Sequence, residues 1–220
     1  MKFDWDANWR VFLEASVVTL QIVATALLVA GVAGLVLGTL LYSTRRGGVL
    51  QNRFVFGFLN VLTNFVRPIP FVIFLTLMGP ITIQLVGSRI GTEAFIVPAA
   101  VMASFATGRI VEQNLVAVDP GLVEAARAMG ASPWRIIRTV VIPEALGPLI
   151  LGYTFIFVAI VDMSALAGMI AGGGLGAFAL QYGYQRFDWP LTLITVAVIV
   201  VFVQSVQFFG NWLSRKIMRR

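Results

Sequence analysis

Asp119-Pro-Gly-Leu-Val-Glu-Ala-Ala-Arg-Ala-Met-Gly-Ala-Ser-Pro-Trp-Arg-Ile-Ile-Arg-Thr-Val-Val-Ile-Pro143 lies between two strongly apolar regions and reads as two short helices joined at a glycine. Asp119 suits the N-cap, where a carboxylate accepts from N–H groups that the first helical turn leaves free. Pro120 suits the turn itself, where a missing N–H is harmless. Leu122, Ala125, Ala126 and Met129 fall three and four apart on one face, with Glu124 and Arg127 together on another. Gly130 is the natural stop, since it enters the left-handed region without a side-chain penalty. Ser132 followed by Pro133 starts a second helix by the same logic. Its apolar face carries Trp134 and Ile137, and its polar face Arg135 and Arg138. Periodicity alone leaves two readings open, an amphipathic connector lying on a bilayer or a docking element for another protein.

The flanks decide the class. Of 220 residues, 59% are hydrophobic and 12% charged, and the mean hydropathy is +0.91. Soluble domains carry about 25% charged residues, so the composition is that of an all-α membrane protein, a single domain by length. The net charge is +6, but the basic residues gather near span ends, where they set topology and meet anionic lipid. No basic tract is interleaved with aromatics, so nucleic acid is not an expected partner. Cysteine and histidine are absent, which removes disulfides, thiolate chemistry, imidazole bases and most zinc sites. Lysine occurs only at Lys2 and Lys216, so the chain has no Gly-Lys-Ser/Thr phosphate loop. No cofactor and no catalytic residue is therefore expected here, and any ATP must be bound and hydrolysed by another chain. The stretch Met1 to Arg10 is mixed in charge and does not read as a cleaved signal peptide.

Five spans are expected, at about 17–42, 68–88, 94–113, 145–161 and 189–213; about 20 apolar residues suffice to cross a bilayer. In the first, Gly34-x-x-x-Gly38 permits close approach of another helix. The segment 54–66 is apolar but too short to cross alone, so it either lies in the interface or extends the next helix. Arg67-Pro-Ile-Pro70 then kinks or starts a helix. Arg109 and Glu112, near the end of the third span, are spaced to pair across one turn. Asp162 closes the fourth span. Gly172, Gly174 and Ala177 formally match dinucleotide-binding spacing, but no strand–helix unit precedes them, and a loop or re-entrant segment fits better. Trp189 and Trp212 are placed as interfacial anchors of the last span. Five spans put the termini on opposite sides. With the N-terminus outside, only Lys2, Arg10, Arg89 and Arg186 of the 16 basic residues lie outside. That agrees with the positive-inside bias, and the 119–143 hairpin then faces the cytoplasm.

The hairpin also resembles the cytoplasmic loop of bacterial ABC importer permeases. That loop has Glu-Ala-Ala, three residues, Gly, nine residues and Ile-x-Leu-Pro; here the positions are Glu124, Ala125, Ala126, Gly130, Val140, Ile142 and Pro143, with Val and Ile in place of Ile and Leu. Asn64-Phe-Val-Arg67-Pro-Ile-Pro-Phe71 resembles the same permeases. Ser164-Ala-Leu-Ala-Gly168, the glycine cluster that follows, and Gln181-Tyr-Gly-Tyr184 look most like methionine-uptake permeases. The resemblance implies a type I importer fold in a bacterial inner membrane. It implies a homodimer with two ATP-binding-cassette subunits and a lipid-anchored methionine-binding protein. The seven hairpin positions would form a coupling element seated on the ATPase.

The chain departs from that family pattern around Asp162, where a small neutral residue is usual, and at Met163 and Leu166, which stand for Tyr and Met. Asp162 is either a water-exposed end cap or a group lining the path that favours an amine-bearing substrate, because an unpaired carboxylate in a membrane is costly. Arg67 is likewise either a headgroup anchor or a path residue. The leading function is thus a permease importing methionine or a related amino acid. Alternatives are the same machine for another amino acid, a small peptide or a quaternary amine, a proton-coupled secondary carrier using Asp162, and a membrane scaffold.

Overall fold

The computed structural model describes residues 5–218, with side chains from residue 9 onward. Lys2, Arg219 and Arg220, which the charge-bias argument counts, and the first four residues of the N-terminal stretch lie outside the described residues. Among the described residues every regular element is helical. In chain order these are α1 (Trp5–Thr44), α2 (Arg53–Val66), α3 (Phe71–Leu77), α4 (Gly79–Val86), α5 (Thr92–Val116), α6 (Pro120–Ala128), α7 (Pro133–Ile136), α8 (Ile142–Ser164), α9 (Gly174–Phe178) and α10 (Trp189–Met218). Four runs are long and apolar enough to span a membrane: Trp9–Thr44, Thr92–Val116, Pro133–Ile170 and Trp189–Met218. A fifth arises if the bent pair α2 and α3 counts as one broken span.

The second span expected at 68–88 is corrected by this arrangement. The stretch is split at Met78, which closes α3 and opens α4. Pro80 has no N–H to continue the α3 ladder, and it sits instead in the first turn of α4, where the missing donor is harmless. Segment 54–66 is a separate capped helix: the Asn52 side chain accepts from the N–H groups of Phe54 and Val55. At 14 residues it is about 21 Å long, too short to cross on its own. A second correction concerns the end of the hairpin. Pro143 does not divide it from the next span; helix runs from Pro133 through a wide π turn at Ile137–Val141 into α8. In that turn the N–H of Ile142 reaches back five residues to the carbonyl of Ile137. Widening the ladder just before a proline lets the helix pass it without a break.

The described chain forms two compact units, and each long helix contributes part of its length to both. One comprises Ile69–Ala103, Phe157–Gln207 and the chain up to Val29. In it Phe12, Leu175, Phe178 and Leu191 make an apolar cluster, with the rings of Phe12 and Phe178 edge to face. The glycine-rich stretch after Asp162, expected as a loop or re-entrant segment, is folded here into short helical turns. Its backbone is tied down: Leu175 N–H donates to Thr19 Oγ1 at 2.8 Å, Gly91 N–H to the Ile170 carbonyl at 2.8 Å, and Thr92 Oγ1 to the Gly172 carbonyl at 3.0 Å.

The other unit comprises Ala30–Pro68, Ser104–Ile156 and the chain from Phe208. Here Gly34 and Gly38 of α1 lie directly on α5. A Cβ on Gly34 would collide with Thr107, and one on Gly38 would come within 2.5 Å of the Gly108 carbonyl and the Val111 Cβ. The expected close approach is therefore present, and α5 supplies the other side. Tyr153 Oη donates to the Gly31 carbonyl at 2.7 Å, and Ser214 Oγ to the Gly147 carbonyl at 2.8 Å, so α8 is bonded to both α1 and α10 in this unit.

Candidate functional site

The hairpin is built as its residues dictate up to Gly130. Asp119 Oδ1 accepts from the Gly121 N–H at 2.8 Å and α6 follows. Gly130 takes φ +78°, a conformation in which a Cβ would be strained. Ser132 Oγ accepts from the Arg135 N–H and opens α7. The hairpin is then pinned by one apolar cluster, in which Ala126, Ile136, Val141, Ala145 and Leu149 pack with Tyr42, Val111, Leu115 and Val118, and Val123, Val140 and Ile142 lie against it. So the two halves of the motif, Ala126 on one side and Val140-x-Ile142 on the other, meet in a single core.

The faces differ from the periodicity reading in an informative way. Only Ala126, 3% exposed, and half-buried Val123 turn α6 toward the cluster. Its other apolar residues point outward: Leu122 is 41% and Met129 81% exposed, and Ala125 is exposed with them. Trp134 and Ile137, expected on one face, are separated. Ile136 and Ile137 are buried while Trp134 stands out, because the helix must present adjacent isoleucines to the core on its way into α8. Glu124 and Pro143 are also exposed, and the Glu124 carboxylate has no partner among the described residues. It borders a recess of about 90 Å³ that it shares with Tyr42, Arg45 and Arg127. Arg45 in turn lies over the Tyr42 ring, its guanidinium carbon 5.0 Å from the centroid. An exposed apolar helical face with a carboxylate beside it, mounted on a packed cluster, has the chemistry of a protein-contact surface.

The residues proposed for a path fall apart by unit. Asp162 is exposed at the last turn of α8, its side chain without a partner among the described residues, and half-buried Met163 and Leu166 follow it. The chain bends there, with the Ala165 N–H bonded to the Asp162 carbonyl and the Leu166 N–H to that of Met163. Arg67 belongs to the other unit and is exposed at the break between α2 and α3.

Sequence reasoning missed one polar assembly. Arg109 and Glu112 pair as their spacing suggests, with side chains 17% and 9% exposed. The same guanidinium also donates through Nη2 to Asn60 Oδ1 at 2.9 Å and to Asn64 Oδ1. Both asparagines sit on α2, four apart, and are the polar exceptions in an apolar segment. That pattern was the available signal.

These features define a helical membrane protein with four or five candidate spans and a structured hairpin whose apolar face is exposed. Residues 30–219 match the family model described as the binding-protein-dependent transport system inner membrane component. The chain belongs to that family. It is 38% identical over 225 residues to the probable D-methionine transport system permease protein MetI of Vibrio cholerae, covering 100% of both chains. It is 37% identical over 182 residues to the methionine import system permease protein MetP of Bacillus subtilis, covering 82% of each. Among solved structures, an inward-facing form of the MetNI methionine ABC transporter superposes with a TM-score of 0.92 at 35% identity, covering 98% of this chain and 99% of that one. A second, an amino acid ABC transporter, matches in fold with a TM-score of 0.78 at 21% identity, over 98% of this chain and 100% of that one. The chain is thus a non-catalytic inner-membrane permease subunit with the type I importer fold.

Proposed function

We propose that this chain is the permease of an ATP-driven importer of methionine. It works as a homodimer with two ATP-binding-cassette subunits and a lipid-anchored methionine-binding protein. The observation that carries the reading is the outward apolar face of α6, with Leu122, Ala125 and Met129 beside unpaired Glu124, mounted on the core that reaches into α8. Methionine as cargo rests on the relatives named above. The N-terminus lies outside and the C-terminus in the cytoplasm, so the hairpin is within reach of an ATPase. ATP stays on that partner. When the two ATPase subunits close, the movement enters through Glu124, Ala125, Ala126 and Gly130 and passes by Val140, Ile142 and Pro143 to α8. Only a motion that favours one of two permease conformations over the other does work on the cargo. Asp162, Met163 and Leu166 border the path, where the Asp162 carboxylate meets the ammonium group of the amino acid.

Uptake of labelled methionine tests this in cells lacking the gene. The wild-type chain should restore ATP-dependent uptake. Glu124→Lys should insert normally yet lower uptake by about tenfold or more, as expected for reversing a charge at a docked contact. Restored growth with no methionine uptake would remove the cargo assignment. Full uptake by the Glu124→Lys protein would remove the coupling role.

A further inference from the structure

Arg109 is held in an ion pair with Glu112. Arg46 and Arg53 have no such partner among the described residues, yet both line one cavity of about 500 Å³, together with Thr44, Gln51 and Phe56. We propose that this cavity binds the phosphate of an anionic phospholipid headgroup. The chain around it is ordered. Leu50 N–H donates to the Ser43 carbonyl and Asn52 N–H to the Thr44 carbonyl, each at 2.9 Å, so the connection between α1 and α2 is closed at its base. The two arginines are therefore held on one mouth by fixed backbone, which lowers the ordering cost of binding.

The lining chooses the sign of the ligand. The Gln51 carbonyl oxygen is engaged by the Gly47 N–H at 3.1 Å, which leaves its amide hydrogens to offer, and the Thr44 hydroxyl donates to the Leu40 carbonyl at 2.7 Å. Among the described residues no carboxylate lines the cavity. Two guanidiniums on one cavity repel each other, and an oxyanion bound there relieves that repulsion while accepting paired hydrogen bonds. The N-terminus of α2 plays no part, since Asn52 already takes its first N–H groups. The surroundings choose the source. Thr44 ends an apolar span, Phe56 brings an aromatic ring to the lining, and Leu50 and Phe54, next in sequence to Gln51 and Arg53, are exposed apolar side chains, Phe54 at 89%. Phosphate beside acyl-chain surface, at the end of a span, describes a phospholipid.

The test uses the purified permease–ATPase complex in phosphatidylcholine nanodiscs with and without a minor fraction of phosphatidylglycerol, with retained lipid read by native mass spectrometry. A parallel arm titrates inorganic phosphate in phosphatidylcholine alone. The wild type should retain phosphatidylglycerol selectively. R46Q/R53Q should bind it about 30-fold more weakly, roughly fivefold for each basic group lost. R46K/R53K, which keeps the charge and hence the topology signal but loses the guanidinium forks, should bind it with an affinity between those of wild type and R46Q/R53Q. Retention by R46Q/R53Q equal to wild type would overturn the proposal, as would an equal loss in R46K/R53K. Saturation by inorganic phosphate with no retained phosphatidylglycerol would overturn the lipid source. Loss of the ATPase from R46Q/R53Q with unchanged lipid retention would mark the cavity as a protein contact instead.

Discussion

Arg109 holds a full charge within an apolar helix, and its surroundings show what makes that tolerable. Glu112 neutralises it one turn away, and Asn60 and Asn64 accept from the remaining fork. Breaking a largely buried pair leaves one ion uncompensated, whereas replacing both members with apolar groups removes the desolvation penalty as well. Glu112→Ala should therefore destabilise the complex by about 3 kcal/mol, and R109M/E112L should recover most of that loss. Thermal unfolding of the purified complex measures both, and an unshifted transition for Glu112→Ala would refute the account. At this scale local spacing was readable and distant pairing was not. The separation of three that joins Arg109 to Glu112 is written in the helix. Asn60 and Asn64 lie 49 and 45 residues away from Arg109, and nothing local announces that α2 would place them there. Gly38 is intermediate: its spacing from Gly34 foretold a close neighbour, but only the structure shows the neighbour to be α5. Gly38→Leu should cost about 1–3 kcal/mol by overpacking against Gly108 and Val111, measured in the same unfolding experiment.

Helix α6 is amphipathic with its larger apolar face turned outward. Its caps, its stop at Gly130 and its start at Asp119 were all legible, because each depends on one residue's backbone chemistry. Which face would be buried was not, since Ala126 and Val123 are chosen by the cluster around Tyr42 and Val111. The same limit explains the other differences. The hairpin at 119–143 and the span at about 145–161 read as separate segments, yet the π turn before Pro143 carries one helix through both. The run 68–88 reads as one span by charge alone, yet Pro80 divides it into α3 and α4. Charge-free length states how much chain a bilayer can hold, while proline and tertiary packing decide where helices stop. If the outward face is a docking surface, Leu122→Glu with Met129→Glu should leave the permease folded and weaken ATPase binding by about tenfold or more, since each buries a charge at the contact. Co-purification of the two subunits checks this, and an unchanged yield of complex would count against the docking role.

For the whole molecule, composition gave the class directly, and the family match over residues 30–219 agrees with it. The family is that of a transport system's inner membrane component, and the relatives that cover the whole chain are permeases, so this chain's part in the system is that of the permease. The central claim is that the 119–143 hairpin receives an ATPase on the cytoplasmic side. Because the chain lacks cysteine, Met129→Cys creates a single thiol within this subunit, on a side chain already exposed. Labelling that thiol with a membrane-impermeant reagent, in intact cells and in inverted vesicles with and without the ATPase, is the most direct measurement. The account predicts no labelling in cells, labelling in vesicles stripped of the ATPase, and protection when the ATPase is bound. Labelling from outside intact cells, or equal labelling with and without the ATPase, would contradict it.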